Sequence, residues 1–206
     1  MHSGSALAVP RKKPSFIEQA RRRQIIEAAI DTIAAVGYAN ASFARIAAQA
    51  EISPSLISYH FRTRDELVVS VAQSIDADLR GWMAQAAGGA TSHLDAARRI
   101  VTGFVRFVDR NRSAMLTLRQ LDAALSPAAR AGVEALDPDR GIESWRDLLA
   151  AGQGAGEFRD FDARIMAAAV MGILGAVPRA LFAAADIDVD RLADELATTV
   201  ERAIAA

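Results

Sequence analysis

Three helix starts stand close together in this chain, and they leave room only for short helices between them. Ser42, Ser53 and Thr63 are residue types whose side-chain oxygens satisfy the free N–H groups at a helix N-terminus. Pro54 follows Ser53 at a first helical position, where the missing N–H of proline costs nothing. Thr63-Arg64-Asp65-Glu66 has the spacing of a capping box. The stretch Ser42–Arg64, SFARIAAQAEISPSLISYHFRTR, therefore reads as a helix, a tight turn at Glu51-Ile52, a second helix, and the capped start of a third. Phe43, Ile46, Ala47 and Ala50 form the inner stripe of the first of these, with Arg45 pointing away from it. Ile57 and Phe61, four apart, face inward from the second. That leaves Ser55, Ser58 and Tyr59 on its opposite face, flanked by Leu56 and His60, with Ile52 as the expected apolar plug between the helices.

Around this stretch the chain reads as helix throughout. Ser15-Phe16-Ile17-Glu18 is another capping box and opens a helix to about Val36, with Ile26, Ala29, Ile30 and Ile33 as its expected apolar stripe and Gly37 after its end. From Thr63 a long helix carries Leu67, Val71, Ile75, Leu79 and Trp82 in phase and stops before Gly88-Gly89. Five more helices are expected: about 93–110, about 113–126, one holding Ile142, Trp145, Leu148 and Leu149, about 163–185, and about 189–205 with Asp188 as cap. A loose segment is expected through Pro138, and Gly152, Gly154 and Gly156 form a break. Residues 1–14, with Gly4, Pro10 and Pro14, lack periodicity and are expected to form a flexible basic arm. No strand-like alternation and no internal repeat is seen. The expectation is an all-α chain of about nine helices, in keeping with its abundant alanine.

The net charge of −1 conceals an asymmetry. Residues 1–64 hold nine Lys/Arg against four Asp/Glu, and the remainder fifteen against twenty-one. A basic head on an acidic body suits a polyanion that meets the head alone. With no cysteine and only His2, His60 and His93, the chain offers no thiol chemistry and no clustered metal-ligand spacing, and no Gly-rich phosphate loop follows a strand. No enzyme activity, metal or cofactor is expected. The absence of cysteine and of a visible signal peptide fits a reducing, cytoplasmic setting.

A helix-turn-helix works by laying its second helix in the major groove while its first helix and flanking caps grip phosphates. Small hydroxyls permit close approach and bond to base edges. Tyr59, His60 and Arg64 suit phosphate oxygens, and Arg64 stands at the N-terminus of the third helix, where the helix dipole also favours an anion. Residues 21–68, RRRQIIEAAIDTIAAVGYANASFARIAAQAEISPSLISYHFRTRDELV, resemble the DNA-binding domain of TetR-family transcriptional regulators. The resemblance rests on IIEAAI running to VGY, SFARIAAQAEIS across the turn, and YHF before RTRDEL, all in fixed register. It implies a helix-turn-helix domain at 15–62 (the motif itself 42–61) and a regulatory and dimerisation domain at 63–206. It further implies that Ser42 and Arg45 touch the backbone or groove edge, that Ser53, Pro54, Ser55 and Ser58 sit in the groove, and that Tyr59, His60, Thr63 and Arg64 lie along the phosphates. Ser58 stands where many members have tyrosine and Arg64 where lysine is commoner. The LISYHF run is similar to the subset of choline-responsive betaine-pathway repressors.

For the body, the resemblance implies a ligand cavity and a homodimer through the last two helices. IMAAAVMGILGAVPRALFAAA is apolar on more faces than a surface helix carries, and Ala169, Gly172 and Ala176 permit close backbone approach. Leu192, Leu196 and Val200 of the last helix complete the expected dimer surface. A membrane span is the competing reading of that run, and Pro178 and Arg179 interrupt it. Candidates for a pocket around an unidentified small-molecule effector are Trp82, Phe104, Phe107, Met115, Leu118, Arg119, Asp122, Trp145 and Met166. Arg119 and Asp122, three apart, are open to two readings: a surface pair, or an inward pair for a polar ligand group. The expected function is a ligand-released homodimeric repressor on a near-palindromic duplex operator. The alternative is an architectural or division-control DNA-binding protein with no effector.

Overall fold

The computed structural model describes residues 15–125, 138–183 and 186–206. The expected arm at 1–14 and most of the expected loose segment before Pro138 lie outside them. Among the described residues there are nine α-helices and no sheet: α1 Phe16–Val36, α2 Phe43–Gln49, α3 Pro54–His60, α4 Arg64–Ala87, α5 His93–Arg110, α6 Arg112–Ala124, α7 Pro138–Gly154, α8 Ala163–Ala183 and α9 Val189–Ile204. The chain is all-α, as its sequence implies. Side-chain oxygens of Ser15, Ser42, Ser53, Thr63, Ser92 and Asp188 accept the N–H three residues on, so six helices begin on the cap their sequence supplies.

The turn between α2 and α3 closes as a Schellman motif. The N–H of Ile52 donates to the Ala47 carbonyl at 3.0 Å and that of Glu51 to the Ala48 carbonyl at 3.3 Å. Glu51 holds φ 55, the left-handed conformation that glycine adopts without cost. Ile52 packs half-buried against the core, as a plug.

One apolar cluster ties α1, α2 and α3 to their neighbours. Ile25, Ala29, Ile33, Ile46, Ile57 and Phe61 are buried with Leu67, Val71 and Ile75 of α4 and with Leu121 and Leu125 at the end of α6. The inner stripe of α1 is centred on Ile25, Ala29 and Ile33; Ile26 and Ile30 of the expected stripe are half-buried beside it. The reason is that α1 is packed on two sides, by the head and by α6, whose Thr117 hydroxyl donates to the Ile30 carbonyl at 3.0 Å.

The body is built on α5, which packs against α4, α7, α8 and α9. At Gly103 a Cβ would stand 2.8 Å from the Ala86 methyl, so a glycine is what allows α4 and α5 to approach so closely there. A second core joins Val101, Trp145, Leu149, Val170, Leu174 and Val200, and a smaller third holds Val105, Val108, Val177 and Leu181. The loop after α7 is stitched to the chain end: Arg159 N–H donates to the Ile204 carbonyl, and Arg159 Nε to the Ala203 carbonyl at 2.8 Å. α7 begins at Pro138 itself, a first-turn site that proline tolerates, and α6 stops at Ala124, short of the expected 126. α8 is long and apolar enough to cross a membrane by length and composition. Its Ala167, Val170, Leu174, Val177 and Leu181 are nevertheless buried against the body's own helices.

Candidate nucleic-acid interface

The outward face of α3 is made of Ser53, Pro54, Ser55, Ser58 and Tyr59, all exposed, and Tyr59 is 75% exposed. The hydroxyls are held locally: Ser53 Oγ caps Leu56 N–H at 3.3 Å and lies 2.9 Å from Ser55 Oγ, and Ser58 Oγ donates to the Pro54 carbonyl at 3.3 Å. Arg45 on α2 and the Ser42 and Thr63 caps are also exposed. A seven-residue helix has little stability of its own. It is held by Ile57 and Phe61, both fully buried, and by a clamp from α1.

That clamp is Arg22. Its guanidinium donates to the His60 carbonyl, lies 4.1 Å above the Phe61 ring, and stands 3.9 Å from a Glu66 oxygen. It thereby satisfies a carbonyl at the C-terminus of α3 and fixes both the helix end and the entry to α4. Burial, and then the nearby Arg22 charge, lower the pKa of His60 below its ordinary value. The expected phosphate contact at His60 thus falls on a half-buried ring beside Arg22 whose neutral form is favoured.

Arg64 differs more. Its guanidinium donates to the Tyr38 carbonyl and lies 4.0 Å over the Tyr38 ring, so it is half-buried against the end of α1 instead of extending to solvent. The Tyr38 N–H in turn donates to Gln120 Oε1 of α6 at 2.8 Å. Thr63 caps Glu66 N–H at 3.1 Å, but the Glu66 carboxylate accepts from Arg62 N–H at 2.9 Å, one residue earlier than a capping box requires. Sequence reasoning missed Arg22, Tyr38 and Gln120. Their partners are 26 to 82 residues away, a separation that no local pattern reports.

In the body, the nine pocket candidates are not brought together. Trp82 and Phe107 meet, rings 6.1 Å apart, beside an open groove. Phe104, Met115, Trp145 and Met166 pack into the second and third cores, and Leu118 packs against the head's core. Arg119 and Asp122 are both exposed on α6, and among the described residues no ion pair joins the two. On α8, Ala169, Gly172 and Ala176 are exposed in line with Ile165, which is 71% exposed. Leu192 and Leu196 of α9 are half-buried. Val200 is 1% exposed against α5 and the second core, so it offers no surface to a second chain, contrary to expectation.

Short capped helices around a turn, with a hydroxyl-bearing outward face above a basic head, define a helix-turn-helix protein of the regulatory class. Residues 25–71 match the pattern of bacterial regulatory proteins of the tetR family, and residues 91–204 that of the tetracyclin repressor-like C-terminal domain. The chain belongs to the tetR family of bacterial regulatory proteins. It is 38% identical over 98 residues to the HTH-type transcriptional regulator BetI 1 of Chromohalobacter salexigens, a match covering 47% of this chain and 48% of that protein. It thus spans about half the length of this curated relative. Among solved structures, a TetR-like transcriptional regulator from Rhodococcus sp. RHA1 superposes with TM-score 0.72 at 26% identity, covering 93% of this chain and 98% of that one. A regulator from Saccharomonospora viridis in complex with choline superposes with TM-score 0.75 at 22% identity, covering 91% and 99%, which shows a shared fold.

Proposed function

We propose that this chain is a sequence-specific duplex-DNA-binding regulator, a homodimeric repressor that an effector releases from its operator. The observation that carries the reading is the outward face of α3, all hydroxyls and one exposed tyrosine on a buried, clamped helix above a basic head. Ser55 and Ser58 read base edges. Ser53 and Pro54 lie in the groove beside them, Ser42, Arg45, Tyr59 and Thr63 touch the sugar-phosphate flank, and His60 turns its ring to a phosphate. Arg64 acts through Tyr38, setting the angle at which α4 leaves the head. Two such helices, paired through the exposed stripe of α8 and the half-exposed Leu192 and Leu196, enter successive major grooves about 34 Å apart on a near-palindromic site. The protein then works in the cytoplasm, where that DNA lies. An effector shifts the equilibrium only by its differential affinity for the DNA-matched and unmatched dimers.

A second reading, a DNA-binding protein with no enclosed effector, is favoured by the packing of Phe104, Met115, Trp145 and Met166 into cores. Selection of bound fragments from genomic DNA, followed by affinity against salt, tests the first claim. We expect one near-palindromic motif, with log affinity falling by about 0.9 per phosphate contact per log unit of salt. Tyr59→Ala is expected to weaken all sequences about tenfold, while Ser58→Ala re-ranks them. Absence of any sequence preference at moderate salt overturns the reading.

A further inference from the structure

Tyr38 is held at both of its backbone polar groups, and by two different helices. Its N–H donates to Gln120 Oε1 of α6 at 2.8 Å. Its carbonyl accepts from the Arg64 guanidinium at the start of α4, which also lies 4.0 Å over its ring. Gly37 makes the arrangement possible. At φ 84 it ends α1 and sends the chain into the 3-10 turn Tyr38–Asn40, so the Tyr38 N–H leaves the helix ladder and turns to α6.

That turn leads straight into the DNA-facing segment. The Ala41 N–H donates to the Tyr38 carbonyl at 3.2 Å and to the Gly37 carbonyl at 3.1 Å, Ala41 itself is buried, and the next residue, Ser42, caps α2. The start of α2 with Ser42 and Arg45, and the start of α4 with Thr63, therefore both hang on Tyr38. These starts flank α3 on either side, and both must fit one duplex at the same time. Slack at Tyr38 is felt at both, and a loosened surface binds less tightly than one already held in place.

Gln120 is not needed to attach α6 to the head. Leu121 beside it is fully buried in the head's core, and the buried Thr117 one turn earlier donates its hydroxyl to the Ile30 carbonyl at 3.0 Å. Gln120 and Tyr38 are only half-buried, so water can take the place of a lost acceptor. The Gln120–Tyr38 bond thus bears little on whether the chain folds and much on where the turn Tyr38–Asn40 sits.

We propose that Gln120, a residue of the body with no part in the outward face of α3, is a positioning residue for DNA binding: by holding the Tyr38 N–H it fixes, together with Arg64, the spacing of the two phosphate-gripping flanks of α3. This rests on α3 being the DNA face.

The test uses the full chain and the duplex recovered from the genomic selection. Gln120→Leu, which has no acceptor, should bind about fivefold more weakly. Every sequence should lose alike, and the salt slope should stay unchanged, because no phosphate contact is removed. Gln120→Glu keeps an acceptor oxygen and should bind within about twofold of the unaltered chain. In an Arg64→Met background, Gln120→Leu should add less than about twofold, since both side chains act through one residue. Should Gln120→Leu fold poorly, hydrogen exchange of the Tyr38 amide in the unaltered chain serves instead, and is expected to slow at least about tenfold on binding the duplex. The assignment is overturned if folded Gln120→Leu binds as tightly as the unaltered chain, if Gln120→Glu loses as much as Gln120→Leu, if the losses at Gln120 and Arg64 multiply independently, or if the Tyr38 amide exchanges equally fast with and without DNA. Absence of sequence preference in the unaltered chain is the separate failure of the DNA reading itself.

Discussion

Helices α3 and α8 both turn small side chains outward, and the two surfaces are built on opposite terms. α3 is seven residues long and exposes hydroxyls and a phenol. α8 is twenty-one residues long and exposes Ile165, Ala168, Ala169, Gly172, Gly175 and Ala176, with open space beside both glycines. The first surface stays fully solvated when free and can exchange its water for the polar edges of a wet, charged partner. The second has no polar group to satisfy and gains only by being covered at close approach. The supports differ in kind as well. α3 depends on a cap, a proline, two buried side chains and the Arg22 clamp, while α8 is long and anchored by five buried positions. Small outward residues thus say little alone; polarity and the method of anchoring tell a DNA face from a protein face.

The comparison can be broken most forcefully on α8. Gly172→Glu places a charge in the middle of the apolar stripe and, if a second copy covers it, should weaken self-association at least about hundredfold, an unpaired buried charge costing about 3 kcal/mol or more. Sedimentation velocity with unchanged helical circular dichroism would show this; an unchanged oligomeric state would mean that the stripe is not covered. Next in size is the clamp. Arg22→Ala leaves the His60 carbonyl and the Phe61 ring without their cation, with an expected loss of about 1.5–3 kcal/mol in urea denaturation and a drop in DNA affinity for every sequence. Loss of stability with unaltered DNA affinity would detach α3's orientation from Arg22. Smallest is Glu51→Gly, which removes left-handed strain at the turn and should stabilise by about 1 kcal/mol with base preference intact.

His60 adds a pH dependence. Its folded pKa lies below its unfolded one, so the neutral form favours the fold. That contribution is complete above the unfolded value, near about 6.5, and fades as pH falls through it.

The elements were legible because caps and apolar spacing act within a few residues. Ser15 with Glu18, Ser42, Ser53-Pro54 and Asp188 each start a helix where the sequence places it. Ile57 and Phe61 are buried because a four-residue spacing can face only one way. The phase of α1 was not legible, since a helix with two packed sides has no single stripe. Nor was the direction of Arg64. A guanidinium at a helix N-terminus can reach outward to a phosphate or back to a ring, and the nearness of Tyr38 decides it. Val200 shows the same limit: its spacing puts it with Leu192 and Leu196, but α5 already occupies its face.

The cluster that binds Phe61 to Ile75 and Leu121 bears on exchange of parts between relatives. A graft that cuts the chain just after α3 would leave Ile57, Phe61 and Ile25 facing water on one piece and Leu67, Val71 and Leu121 on the other. The transferable unit that preserves α3's recognition surface is therefore not the first three helices. It is those helices together with the opening turns of α4 and a matching face of α6, so a new DNA specificity moves intact only when it carries its seam with it.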